Sequence, residues 1–183
     1  MKEWGDPLFC LYYEVNGLAY KKKNGNTVET VWKLAAPIAA GLGLSVWDVR
    51  FLKEGADWFL RIFIDKEGGV GIDDCEAMSR AVNGPLDELD PIEQSYCLEV
   101  SSPGIDRELV REEHFTAFLG AVVRVKLIRP MEDGRRELTA VLKGYSENTM
   151  LLQTEEGVTI SLPAKDASSV RLVDDDIVGG IEE

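Results

Sequence analysis

The chain is poor in the side chains on which catalysis and metal binding draw. It has one histidine, His114, and three widely spaced cysteines, Cys10, Cys75 and Cys97. With no Cys-x-x-Cys pair and no histidine–cysteine cluster, zinc ligation and a disulfide framework are both excluded; idle thiols in a reducing compartment are expected. Ser101 and Ser102 could call only on that one histidine and lack the glycine–serine–glycine elbow of a nucleophile. A phosphate loop with its lysine is also missing. The expectation is a non-catalytic protein with no metal site and no cofactor. No apolar run approaches the length of a membrane span. Leu8 to Tyr13, the most apolar N-terminal piece, has neither a preceding basic region nor a small-residue cleavage site, so a secretory signal is not expected. Positive charge is the last scarcity: 20 Lys and Arg stand against 33 Asp and Glu, a net charge of −13. Such a chain is repelled by naked nucleic acid as a whole. Binding to a ribonucleoprotein would need a local basic face, a basic protein partner, or both.

What is present is enough apolar residue, 45% of the chain, to bury real cores. Residues 1–26 carry no clear period and read as a flexible extension, with an extra strand at Leu8 to Tyr13 or a basic arm as the other reading. From Thr27 the stripe Val28, Val31, Leu34, Ala35, Ile38, Ala39 and Leu42 predicts a helix closed by Gly41 and Gly43, with a kink at Pro37. Leu44 to Lys53 and Trp58 to Lys66 alternate as a β-hairpin, with Phe59, Arg61 and Phe63 sharing one face. Gly68-Gly69-Val70-Gly71 follows. It does not join two helices as a KH-domain loop does, and Val70 stands where a calcium loop needs glycine, so it reads as a turn. Asp73 is the expected cap of a second helix, with Glu76 completing a capping box. The apolar stripe of that helix is Cys75, Met78, Val82, Leu86 and Leu89, and Pro91 ends it. A strand from Tyr96 to Ser101 completes an α-β-β-α-β unit, a two-layer α+β domain.

Beyond it, Val110 to Leu119 reads as a short amphipathic helix in which His114 is a core or surface residue. Short strands then follow at 122–128, 137–145, 150–154, 158–162 and 170–173, with turns at Glu132-Asp133-Gly134, Ser146-Glu147-Asn148 and Glu155-Glu156-Gly157. That spacing predicts a small β-barrel. Between Gly120 and Tyr145 six cations face three anions. Strand alternation puts Arg124 and Lys126 on the face away from Val123, Val125 and Leu127. With Arg107, Arg111 and Arg129 they are the candidates for a positive surface, set against the reading that they are ordinary outward-facing strand residues. The acidic C-terminus reads as a solvated tail.

Between the two halves lies Leu98-Glu99-Val100-Ser101-Ser102-Pro103-Gly104-Ile105-Asp106-Arg107, then Leu109. Pro103 pre-sets φ for the second position of a turn, and Gly104 supplies the positive φ that a type II turn needs next. This run closely resembles the junction motif of the bacterial ribosome maturation factor family RimP. Phe63-Ile64-Asp65, Asp74-Cys75, Ser79-Arg80 and the stretch from Phe115 to Gly120 support the match. Glu108 departs from it, standing where the family often has proline, which predicts a looser turn after Arg107. The pattern Gly120-x-x-Val123-x-Val125-x-Leu127, with Leu138 and Asn148 to Leu151, looks like the first half of an Sm-like barrel.

The resemblance implies an α+β domain at 27–108, an Sm-like (SH3-type) barrel at 109–175 and an acidic tail at 176–183. Ser101, Ser102, Pro103, Gly104 and Asp106 would form the inter-domain junction. It implies a cytoplasmic, non-catalytic, monomeric factor that binds the small (30S) ribosomal subunit during assembly. Its partners would be 16S rRNA and the twelfth small-subunit ribosomal protein, with no membrane partner. Asn148 is the nearest match to the asparagine with which Sm-like turns contact RNA bases. The competing expectations are an Sm-like RNA-binding chaperone acting on other RNAs and an enzyme of small scope using Asp106 and Arg107.

Overall fold

The structure, a computed structural model, describes residues 25–131 and 134–173. The expectations for the N-terminal extension, the acidic tail and the Glu132-Asp133 turn lie outside the described residues. The chain divides into two compact units, one ending at Pro103 and the next beginning at Gly104.

In the first unit, α1 (Gly25–Gly41) buries Val31, Ala35 and Ala39 completely. The small alanines let the helix lie close to the sheet, while Trp32, Leu34 and Ile38 pack at the margins of the core. The helix continues through Pro37, which faces solvent. Its end is a Schellman motif: Leu44 N–H donates to Ala39 O (2.9 Å) and Gly43 N–H to Ala40 O (3.1 Å). Leu42 falls beyond the last helical turn and is exposed, unlike the rest of the expected stripe. Gly43 has φ 71°, a conformation that costs a residue with a Cβ roughly 1–2 kcal/mol. Gly43→Ala is therefore expected to lower stability by about that amount in urea unfolding, although no atom lies within 4 Å of the added Cβ.

Strands β1 (Ser45–Glu54) and β2 (Asp57–Asp65) form the antiparallel hairpin, and β3 (Tyr96–Ser101) adds parallel to β2. A bulge between Val46 and Asp48 leaves Trp47 as the extra residue, buried. On the inner face Leu60, Ile62 and Ile64 are fully covered. The rings of Phe51 and Trp58 stack there at 4.7 Å, and Tyr96 meets Phe51 edge-on. Helix α2 (Ile72–Leu89) closes this core with Met78, Val82 and Leu86.

The cap of α2 is not Asp73. The helix begins two residues earlier than that cap would place it, and Gly71 is the N-cap. The carboxylate that caps it belongs to Asp74, which accepts from Gly71 N–H (2.7 Å) and pairs with Lys66 Nζ (2.7 Å). The Lys66 bond first, then the Gly71 N–H, holds the Asp74 carboxyl below its ordinary pKa. A depressed folded-state pKa stabilises the protein above the unfolded value, and that contribution disappears as pH falls through the folded one. Asp74→Ala should thus be less stable than the parent at neutral pH, with the gap closing below about pH 4. Thermal unfolding at neutral and acid pH measures it; a gap independent of pH would contradict the assignment. At the other end Asp90, with φ 43°, donates its N–H to Leu86 O and ends the helix one residue before Pro91.

The second unit has a short helix α3 (Glu112–Ala117) and strands β4 (Val122–Leu127), β5 (Glu137–Ser146), β6 (Thr149–Gln153), β7 (Thr159–Pro163) and β8 (Ala167–Leu172). The sheet order is β7-β6-β5-β4-β8, a meander whose last strand returns beside β4. Val123, Val125, Leu142, Met150 and Leu152 are fully buried along it. Phe115 stacks on Tyr145 at 4.3 Å. The expected barrel is not closed: β7 and β8 are joined by one 3₁₀ turn (Ala164–Asp166) but form no ladder. The outer backbone groups of β8 are taken instead by the segment at 107–109. Leu109 N–H donates to Val170 O and Leu172 N–H to Arg107 O, which satisfies that edge without β7. Glu108, in bridge pairing with Arg171, is thereby tethered, contrary to the looser turn expected from its replacing proline.

Candidate functional site

In the second unit the pleat of β4 sorts side chains as expected. Val123, Val125 and Leu127 point inward, whereas Arg124 and Lys126 are exposed. Across the ladder Arg124 lies opposite Arg171 on β8 and Thr139 on β5, and Lys126 opposite Ser169 and Glu137. Two arginines directly opposite would repel, but each has a carboxylate beside it. Arg124 Nε is 3.6 Å from Glu137 Oε1. Arg171 reaches Asp106 Oδ2 (3.5 Å) and Glu108 Oε2 (3.6 Å), and also donates to the Asp106 carbonyl. The result is a strip of alternating sign in which Arg124 and Lys126 are the exposed cations. Arg171 did not figure among the sequence candidates, although its place beside buried Val170 in an alternating strand was a usable signal.

The other candidates sit differently. Arg107 is half-buried and donates from Nε to Gly104 O (3.2 Å). Arg111 is half-buried with its Nε out of reach of solvent. Arg129 is exposed, one residue beyond Ile128, whose N–H bonds to Asp166 O. Gly104 takes φ 79°, as a Pro-Gly turn requires. Ser101 closes β3, and Ser102 and Asp106 are exposed. Asn148 belongs to the β5–β6 turn, not to the charged strip. Glu147 (φ 49°) and Asn148 (φ 60°) are the two central residues of a type I′ hairpin, where asparagine is favoured on backbone grounds alone.

His114, Cys75 and Tyr145 are drawn into the packing of the fold. His114 is buried, and its Nδ1 accepts from Val110 N–H (3.2 Å), so the ring fastens the start of α3. Burial, then Asp74, pushes the Cys75 thiol up, away from the reactive thiolate. Burial, then Glu112 and Glu113, raises the Tyr145 phenol. Among the described residues no group of His, Cys, Asp or Glu side chains could hold a metal ion, and no helix is long and apolar enough to cross a membrane.

The first unit carries a second charged surface, on the sheet face turned away from its helices. Arg61 stands at the centre. It donates through Nη1 and Nη2 to the two Glu54 oxygens (2.8 and 2.9 Å) and through Nε to Glu99. Those bonds, Glu54 first, push its pKa upward, and Arg61 in turn lowers that of Glu54. The guanidinium also lies over the Phe59 ring at 5.1 Å, and Arg50, paired with Asp48, lies over Phe63 at 5.2 Å.

Over 37% of its length the chain is similar to a chain in a solved structure of an mRNA decapping complex. The match takes in 68% of that chain at 18% identity with a TM-score of 0.30, too slight a likeness to bear on fold or function. Of a different kind is the match of residues 34–106 to the family model of the RimP N-terminal domain. It runs from the middle of α1 through all of the first sheet and α2 and ends at Asp106, inside the Ser101–Arg107 motif. Through this stretch, less than half of the chain, the protein is similar to the N-terminal domain of the RimP ribosome maturation factors, which supports kinship with that family.

Proposed function

We propose that the protein binds the small (30S) ribosomal subunit in the cytoplasm during assembly, as a monomer and without turnover chemistry. The observation that carries this reading is the RimP N-terminal domain at residues 34–106. On this reading the two units, which divide after Pro103 and not at the expected 108/109 boundary, act as two binding modules linked through Ser101 to Arg107. A molecule of net charge −13 meets a basic ribosomal protein through its acidic surface, the twelfth protein of the subunit by family likeness. Arg124 and Lys126 meet phosphates of 16S rRNA. Charge complementarity then sets encounter rate and register more than affinity. The net charge of −13 and the added N-terminal domain weigh against a chaperone for other RNAs, since the molecule as a whole repels free nucleic acid.

Co-sedimentation with small subunits taken from a strain lacking the factor tests the proposal. The full chain should travel with immature particles, and excess free RNA should not displace it. Absence from the particle fraction, or capture by free RNA at physiological salt, would defeat it.

A further inference from the structure

Within the first unit both helices pack on one face of the β1–β2–β3 sheet. The other face carries Arg50 and Leu52 of β1, Phe59, Arg61 and Phe63 of β2, and Glu99 of β3, brought side by side by the register. Leu52, Phe59 and Phe63 lie outside the core cluster and are only half-covered. Large aromatic rings and arginines on a partly exposed surface are the composition of interface hot spots. We infer that this sheet face is the docking surface for an extended lysine- and arginine-rich segment of a protein partner. The inference deepens the function proposed above, since it names the surface that meets a basic protein.

Charge decides the class of partner. Asp48, Glu54, Asp57 and Glu99 share the face with only Arg50 and Arg61. Accessibility widens the difference: the Glu54 and Glu99 side chains are 52% and 41% exposed, against 26% for Arg61 and 28% for Arg50. Both arginines have carboxylate partners, so a phosphate chain arriving here would meet the free sides of carboxylates. An incoming cation finds Glu54 and Glu99 accessible, whereas Asp48 is buried and already bonded to Arg50 and the Val49 N–H. The cation also finds rings whose electron-rich faces already hold guanidinium groups near 5 Å. Phe59 and Phe63 are four residues apart on one strand, roughly 13 Å. That is the spacing of side chains i and i+4 in an extended segment, so one strand-like peptide can place a stem on each ring and a cation at Glu54 or Glu99.

The test uses the isotopically labelled full chain, titrated separately with an unstructured peptide of alternating arginine and glycine and with a single-stranded oligouridylate. The peptide should shift amides at 50–54, 59–63 and 97–101. Phe59→Leu with Phe63→Leu, and Glu54→Gln with Glu99→Gln, should each weaken binding about tenfold or more. Tryptophan fluorescence shows that the variants are folded. Lack of peptide binding overturns the inference. So do shifts confined to the shallow groove lined by Asp87, Asp90 and Glu93, and so does the oligouridylate moving the face amides. The same Glu54→Gln/Glu99→Gln chain is then sedimented with immature small subunits. Loss of binding relative to the parent supports the assignment, and equal binding sinks it. A parent chain that itself fails to bind defeats the subunit reading, while the peptide titration still decides the face.

Discussion

Replacing Ile62 with alanine is expected to remove about 2–5 kcal/mol of stability, a large part of the 5–15 kcal/mol that typically holds a domain together. Ile62 is fully buried on the central strand, paired with Val49 on one side and Val100 on the other, and it belongs to the core cluster with Val31, Met78 and Val82. Neither neighbouring strand can close in to fill the lost volume without breaking register. The reporter is built in, because all four tryptophans of the chain precede Pro103. Tryptophan emission in urea should show a markedly lower midpoint, and subunit binding should weaken wherever the first unit is partly unfolded. Phe63→Ala, one residue along but on the half-covered face, should cost much less. Equal losses at 62 and 63 would contradict the assignment of inner and outer faces.

The second large effect concerns binding. Arg124→Glu with Lys126→Glu should leave the fold intact. The partner given up is Glu137 at 3.6 Å from Arg124 on a solvent-exposed strand, a kind of pair worth roughly 0–1 kcal/mol. A glutamate at 124 would also face Arg171 across the ladder. If both cations contact rRNA phosphates, their loss should flatten the slope of log affinity against log salt by roughly 1.4–1.8. A slope change of about 1.6 between 1 M and 0.1 M salt corresponds to roughly 40-fold in affinity at the lower salt. Arg107→Glu and Arg111→Glu are poorer probes, because those side chains are half-buried and their replacement disturbs the chain locally. A salt slope unchanged in the β4 double variant would refute the rRNA-facing role of that strand.

Several features of the fold were legible residue by residue. The hairpin at 45–65, strand β3 over Tyr96–Ser101, the stripes of both long helices short of their last residues, Leu42 and Leu89, which are exposed, and the inward–outward sorting of β4 all follow from local period. Each reflects one chain segment deciding which of its sides avoids water. Local reading failed where two solutions were locally equivalent. Asp73 and Asp74 are both acceptable first-turn acids, and only the position of Lys66 and the conformation of the glycine loop select Asp74. Asn148 carries an expected functional role by likeness, yet its positive φ already accounts for an asparagine there.

Sequence by itself determined the element order, the scarcity of catalytic groups, the acidic balance and, through a contiguous motif, the likeness of residues 34–106 to the RimP N-terminal domain. These are properties of composition or of residues near one another in the chain, where periodicity and turn chemistry act. Only the tertiary structure decided that the second sheet stays open, because its β8 edge is satisfied by the remote segment at 107–109. It alone brought Arg171 beside Arg124 and placed Glu54 and Glu99 on either side of Arg61. Those pairings depend on strand register across long sequence separations, and register is set by how whole faces bury together.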